Sequence, residues 1–156
     1  MAPLAIRFYD VVLTVHILAV VVAFGVVFSY PVLDAWFRSA VPGNVAKLHE
    51  LHIQLAQRVV TPAMVVVLLA GLYLAFQDPW SLGDPWISAT FAILFVLFGL
   101  TGGVLIPADR RLLELARRDA TSAEYEAERR KADAFGGLAL LLVIVAIFLM
   151  VGKPGV

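Results

Sequence analysis

Three histidines carry most of the chemical potential of this chain. His16 stands alone in "VVLTVHILAVVVAF", Val11 to Phe24, an otherwise almost unbroken apolar run. An ionisable side chain at membrane depth is costly and normally faces the interior of a helical bundle, where it has a partner. Two roles fit His16. It is a neutral imidazole bonded to a neighbouring helix, or it is an axial ligand to haem or a proton-relay group, since imidazole both binds metals and exchanges protons near neutral pH. At 1.5 Å per residue it lies about 7–8 Å inside the level of Val11. His49 and His52 form "HELH". Three residues apart on a helix, they share a face and could hold one metal ion together. Glu50 falls on another face, so a third ligand is wanting, and two interfacial polar side chains is the other reading. Met64 is a further candidate axial ligand. Counting from opposite ends of the spans puts it roughly 7 Å from the level of His16, which suits packing better than joint ligation.

These residues sit on elements that the composition identifies. Of 156 residues, 62% are hydrophobic and 15% charged, against about 25% charged in an ordinary soluble domain. Four runs contain no Asp, Glu, Lys or Arg: Val11–Leu33, Val59–Gln77, Pro85–Ala108 and Ala134–Gly152. A helix needs about 20 apolar residues to cross a hydrocarbon core. One membrane domain is therefore expected over 1–156, with spans at about 9–31, 55–77, 86–107 and 133–152. Membrane strands alternate in polarity, whereas "GLALLLVIVAIFLM" is apolar all round. Continuous helices remain the way to satisfy the backbone. The first run is long, and Arg7 and Asp10 precede it, so it is expected to stay as a span rather than be cleaved as a signal. The absence of cysteine excludes disulfides and thiolate metal sites.

The basic residues set the expected orientation. Arg38, Lys47 and Arg58 belong to the first connection, and Arg110, Arg111, Arg117, Arg118, Arg129, Arg130 and Lys131 to the third. Only Arg7 and Lys153 fall on the other side. The positive-inside rule then puts both termini outside a cell inner (plasma) membrane. Formal net charge is zero, and no nucleic-acid partner is expected. Past Pro107, "ADRRLLELARRD" continues the third helix, with Glu114–Arg118 and Glu126–Arg130 as intrahelical pairs. "TSAE", Thr121–Glu124, predicts a capping box that opens the fourth helix. Pro31 should bend the first helix and Pro62 the second. Trp36, Trp80 and Trp86 fit interface depths. Gly99 and Gly103 form GxxxG, and Gly71–Ala75 repeats the idea, serving packing within the bundle or self-association. The expected fold is all-α: an antiparallel four-helix polytopic bundle with helical cytoplasmic extensions. Its partners are the lipid bilayer and a homodimer or larger membrane complex.

The first-helix histidine in "LTVHILAVVVAFGVVFSYP", "TPAMVVVLLAGLYL" in the second helix and the terminal "FLMVGKP" resemble the HemJ-type protoporphyrinogen IX oxidases, small membrane proteins that bind haem b. The chain is also similar to uncharacterised predicted integral membrane proteins and, more distantly, to the membrane domain of CopD-type copper-resistance proteins. The resemblance implies haem b held by His16, in electron transfer or tetrapyrrole chemistry. The cavity would be lined by residues such as Gly71, Tyr73 and Phe95, with a second axial ligand supplied by another copy. The oxidase family also uses a third-helix lysine. Here that helix, "WISATFAILFVLFGLTGG", has none, so the resemblance does not carry the oxidase reaction across. A non-catalytic accessory subunit or assembly factor is the alternative. A small-solute or metal-ion transporter fits less well, because the four charge-free runs hold no carboxylate.

Overall fold

The computed structural model describes residues 7–77 and 79–154. Four rods account for nearly all of them: α1 (Phe8–Ala40), α2 (Pro42–Ala75), α3 (Pro85–Asp119) and α4 (Ala123–Gly152). Each is long and apolar enough to cross a membrane. All four extend beyond the charge-free runs, α1 and α4 mainly at the end that carries the basic residues. α1 starts where the Arg7 amide donates to the Asp10 carboxylate at 2.9 Å, and it continues through Pro31 to Ala40.

The other two mid-rod prolines change the helix more deeply. In α2 the turn Ala56–Val60 is π-helical, and the Thr61 amide donates to the carbonyl of Ala56, five residues back. In α3 the turn Thr101–Leu105 is also π-helical, and the Ile106 amide donates to Thr101 in the same way. Each widened turn ends two residues before a proline, Pro62 or Pro107. Proline has no N–H and its ring clashes with the carbonyl four residues earlier. One extra residue per turn relieves that clash without breaking the rod.

The rods pack as antiparallel sequence neighbours. α1 lies along the Thr61–Ala75 part of α2, the Val45–Leu55 part of α2 lies against Ile106–Asp119 of α3, and α4 follows α3, while α1 and α4 barely meet. Ala19, Ala23 and Phe24 of α1 pack with Val60, Met64 and Val67 of α2 in the main core, closed by Leu97 and Val143. Small residues bring α1 and α2 close, with Ala23 completely buried. Gly99 and Gly103 do not serve this purpose. Both are exposed, and a Cβ added to either would meet nothing within 4 Å, so the GxxxG face of α3 points away from the bundle.

α3 and α4 form the expected hairpin, with a one-residue correction at its cap. Ser122, not Thr121, caps α4, its Oγ accepting from the Tyr125 amide at 3.2 Å. Asp119 accepts from the Thr121 amide at 2.8 Å and from its hydroxyl at 2.6 Å. Those bonds hold the exposed Asp119 carboxyl below the usual carboxylate range. Neither expected intrahelical pair forms among the described residues. Arg117 instead reaches across to Glu50 on α2, and Arg129 bridges Glu126 and Asp133. At the opposite end Trp80 and Trp86 meet edge to face, and Lys153 Nζ sits 4.2 Å from the centre of the Trp80 ring.

Candidate metal centre

His49 and His52 lie one turn apart on α2, only 4% and 5% exposed. The third ligand that the sequence left wanting comes from α3, two residues past Pro107. His49 Nδ1 is 2.9 Å and His52 Nδ1 3.5 Å from the same Asp109 Oδ1. Each imidazole turns its other nitrogen toward a different helix. His49 Nε2 is 3.0 Å from the Tyr125 hydroxyl of α4, and His52 Nε2 is 3.8 Å from Asp34 Oδ1 of α1. Tyr30 of α1 stacks on His52 with ring centres 4.3 Å apart. All four rods thus contribute to one buried polar cluster.

One donor atom from each of His49, His52 and Asp109 fits within 4.8 Å of the others. Three ligands about 2.1 Å from a tetrahedral ion lie roughly 3.4 Å apart; here the two nitrogens stand 2.9 and 3.5 Å from the carboxylate oxygen, and no two of the three atoms are more than 4.8 Å apart. Histidine ligands commonly donate their second N–H to a carboxylate or another polar group, which fixes the tautomer and aims the lone pair. Tyr125 and Asp34 stand where such partners belong. Burial pushes the Asp109 carboxyl up, but the hydrogen bonds from His49 and His52 outweigh this and hold it below its ordinary range. Burial raises the Asp34 carboxyl and pushes the Tyr125 hydroxyl up to about 12. His52 Nε2 and Tyr30 Oη are buried without a hydrogen-bond partner.

A cavity of about 310 Å³ adjoins the cluster and runs inward between the rods to Phe24, Met64 and Val143. Both π turns contribute to its wall, through Ala56 and Val60 on one side and Thr101 and Leu105 on the other. Gly136 and Gly137 line it from α4.

His16 belongs to a different place. It faces a second cavity, of about 510 Å³, toward the end of the bundle that carries Trp80, Trp86 and Lys153. Its ring rests on Gly71, where a Cβ would lie 3.2 Å from His16 Cε1. The Nδ1 atom is buried without a hydrogen-bond partner, and the Val67 backbone of α2 is the neighbouring-helix group within hydrogen-bonding reach of the ring. Gly71 lines this cavity as expected. Tyr73 instead meets Phe8 edge to face, and Phe95 is 59% exposed on the outer surface. Met64 is core and borders the other cavity. The sequence reading therefore found His16, His49 and His52, but missed Asp109, Asp34 and Tyr125. Asp109 and Asp34 carried one usable signal. Each is the first charge beyond an apolar run, Pro85–Ala108 and Val11–Leu33 respectively.

Four apolar rods with a polar cluster at one end define a polytopic helical membrane protein in contact with the lipid bilayer. The chain belongs to the DUF2269 family, described as predicted integral membrane proteins, whose model matches residues 10–154. No curated protein and no solved structure matches it.

Proposed function

We propose that this is a membrane metalloprotein whose centre holds one divalent transition ion between His49 Nδ1, His52 Nδ1 and an Asp109 carboxylate oxygen. The observation that carries the reading is the convergence of both Nδ1 atoms on one carboxylate oxygen, with each Nε2 facing Tyr125 or Asp34. Two histidines and one carboxylate suit zinc or non-haem iron, with coordination positions left for a ligand. The charge on Asp109, favoured by the hydrogen bonds from both histidines, supports a cation at this place. By the basic-residue bias, this end faces the cytoplasm. The experiment is elemental analysis of protein purified after zinc loading and desalting. About one ion per chain is expected, lost in His52→Ala and Asp109→Asn and kept in His16→Ala. Zinc content that is the same in all four proteins overturns the proposal.

A second reading, haem b held by His16, has its own support. His16 faces a cavity of about 510 Å³ with almost wholly apolar walls, and Gly71 leaves room for its ring. A Soret band that disappears in His16→Ala is the result expected. A colourless preparation refutes this second reading without touching the first.

A further inference from the structure

The cavity beside the metal ligands changes character along its length. At one end it meets His49, His52, Arg38 and Arg129 together with the carboxylates of Asp34, Asp109 and Asp133, so an anion there depends on the metal charge as well as on the arginines. At the other it is walled by the side chains of the main core, Phe24, Met64 and Val143. Three rods depart from close packing to leave this space. α2 and α3 do so with their π turns, which recur at functional sites, and α4 with the side-chain-free pair Gly136-Gly137. A Cβ added to Gly136 would meet nothing within 4 Å. Where the polar and apolar parts join, Tyr30 Oη and His52 Nε2 are buried without partners. At the rim, Arg129 is tied to Glu126 and Asp133, whereas Arg38 acts on Asp34 and Glu126 only at longer range and forms no ion pair among the described residues. The volume, about 310 Å³, is at the low end of the range of small-molecule sites, roughly 300–1,000 Å³.

We infer that this cavity binds a single-chain lipid carboxylate, with its head toward the metal ligands and Arg38 and its chain toward Phe24 and Val143. The inference rests on the metal reading for one of the two charges that hold the head. An oxygen anion would satisfy three demands together: an open position on the proposed metal, the Arg38 guanidinium, which no carboxylate holds in an ion pair among the described residues, and the Tyr30 hydroxyl, which can donate to it. A single chain fits an apolar space bounded by four rods, which two chains would overfill. Such a ligand is available from the surrounding bilayer.

The test is native mass spectrometry of the zinc-loaded protein with laurate added, using lauryl alcohol as the comparison. One laurate per chain is expected, with lauryl alcohol bound about tenfold more weakly because it lacks the charged head. Gly136→Leu fills the apolar part and should lower laurate binding by about tenfold or more while zinc content stays the same. Arg38→Gln should lower it severalfold and serves as the check should Gly136→Leu misfold. Laurate binding unchanged in both variants puts the lipid on the outer surface of the bundle and overturns the inference. Zinc binding with no laurate adduct also overturns it and leaves the metal centre standing. Laurate binding that depends on Gly136 and Arg38 in a protein that takes no zinc upholds the cavity and removes the metal reading.

Discussion

Replacing Tyr125 by phenylalanine removes one oxygen atom and tests the logic of the centre. The Tyr125 hydroxyl lies 3.0 Å from His49 Nε2, and both residues are buried. Without metal, His49 Nδ1–H donates to the Asp109 carboxylate and Nε2 accepts from the tyrosine hydroxyl. Were a metal ion held at Nδ1, the proton would sit on Nε2, which would then donate to the tyrosine oxygen. The hydroxyl serves both states, but the second bond is polarised by the ion. A neutral hydrogen bond contributes about 1 kcal/mol and one involving a charged group about 1.5–3. Tyr125→Phe should therefore weaken the bound state by about 1–1.5 kcal/mol more than the free state, or roughly tenfold in zinc affinity. It should also leave a buried nitrogen unpaired in either state, costing about 1–3 kcal/mol of stability. Zinc affinity is measured by competition with a chromophoric chelator, and stability by thermal unfolding in detergent. In a His49→Ala background the stability cost of Tyr125→Phe should shrink, because the hydroxyl has already lost its partner. A fall in stability with unchanged zinc affinity would refute the argument and leave the Tyr125–His49 bond as a purely structural tie between α2 and α4.

Other outcomes follow from the same geometry. Gly71→Ala should destabilise the α1–α2 contact by about 1–3 kcal/mol, because the new Cβ presses on the His16 ring; adding His16→Ala should recover most of the lost thermal stability. Glu50→Gln should cost no more than about 1 kcal/mol, since its bond to Arg117 joins two exposed side chains, and chemical denaturation in detergent would register anything larger. Because Thr121 holds the folded Asp119 carboxyl below its unfolded value, its contribution to the turn is complete above the ordinary carboxylate range. It is lost as pH falls through the lowered folded value, so a carbon-13 carboxyl titration should show Asp119 titrating below an unstructured aspartate. Reporter fusions at the C-terminus should give active alkaline phosphatase and dark green fluorescent protein if the metal end faces the cytoplasm.

The sequence by itself determined the rods. Charge-free runs long enough to cross a bilayer leave the backbone no alternative to helix, and the clustered arginines and lysines mark one end of the bundle. It also determined that His49 and His52 share a face, because the helical repeat is local. Only the tertiary structure decided what that face meets. Asp109 is separated from His49 by 60 positions and Tyr125 by 76, and nothing in the period of a helix relates residues so far apart. Their meeting depends on which rods neighbour one another and on how far Pro62 and Pro107, each behind a π turn, shift the facing registers. The same physics explains the glycines. GxxxG advertises a face that permits close approach, but the bundle turned Gly99 and Gly103 outward and spent Gly71 on His16, a choice made by packing among rods rather than by any one of them.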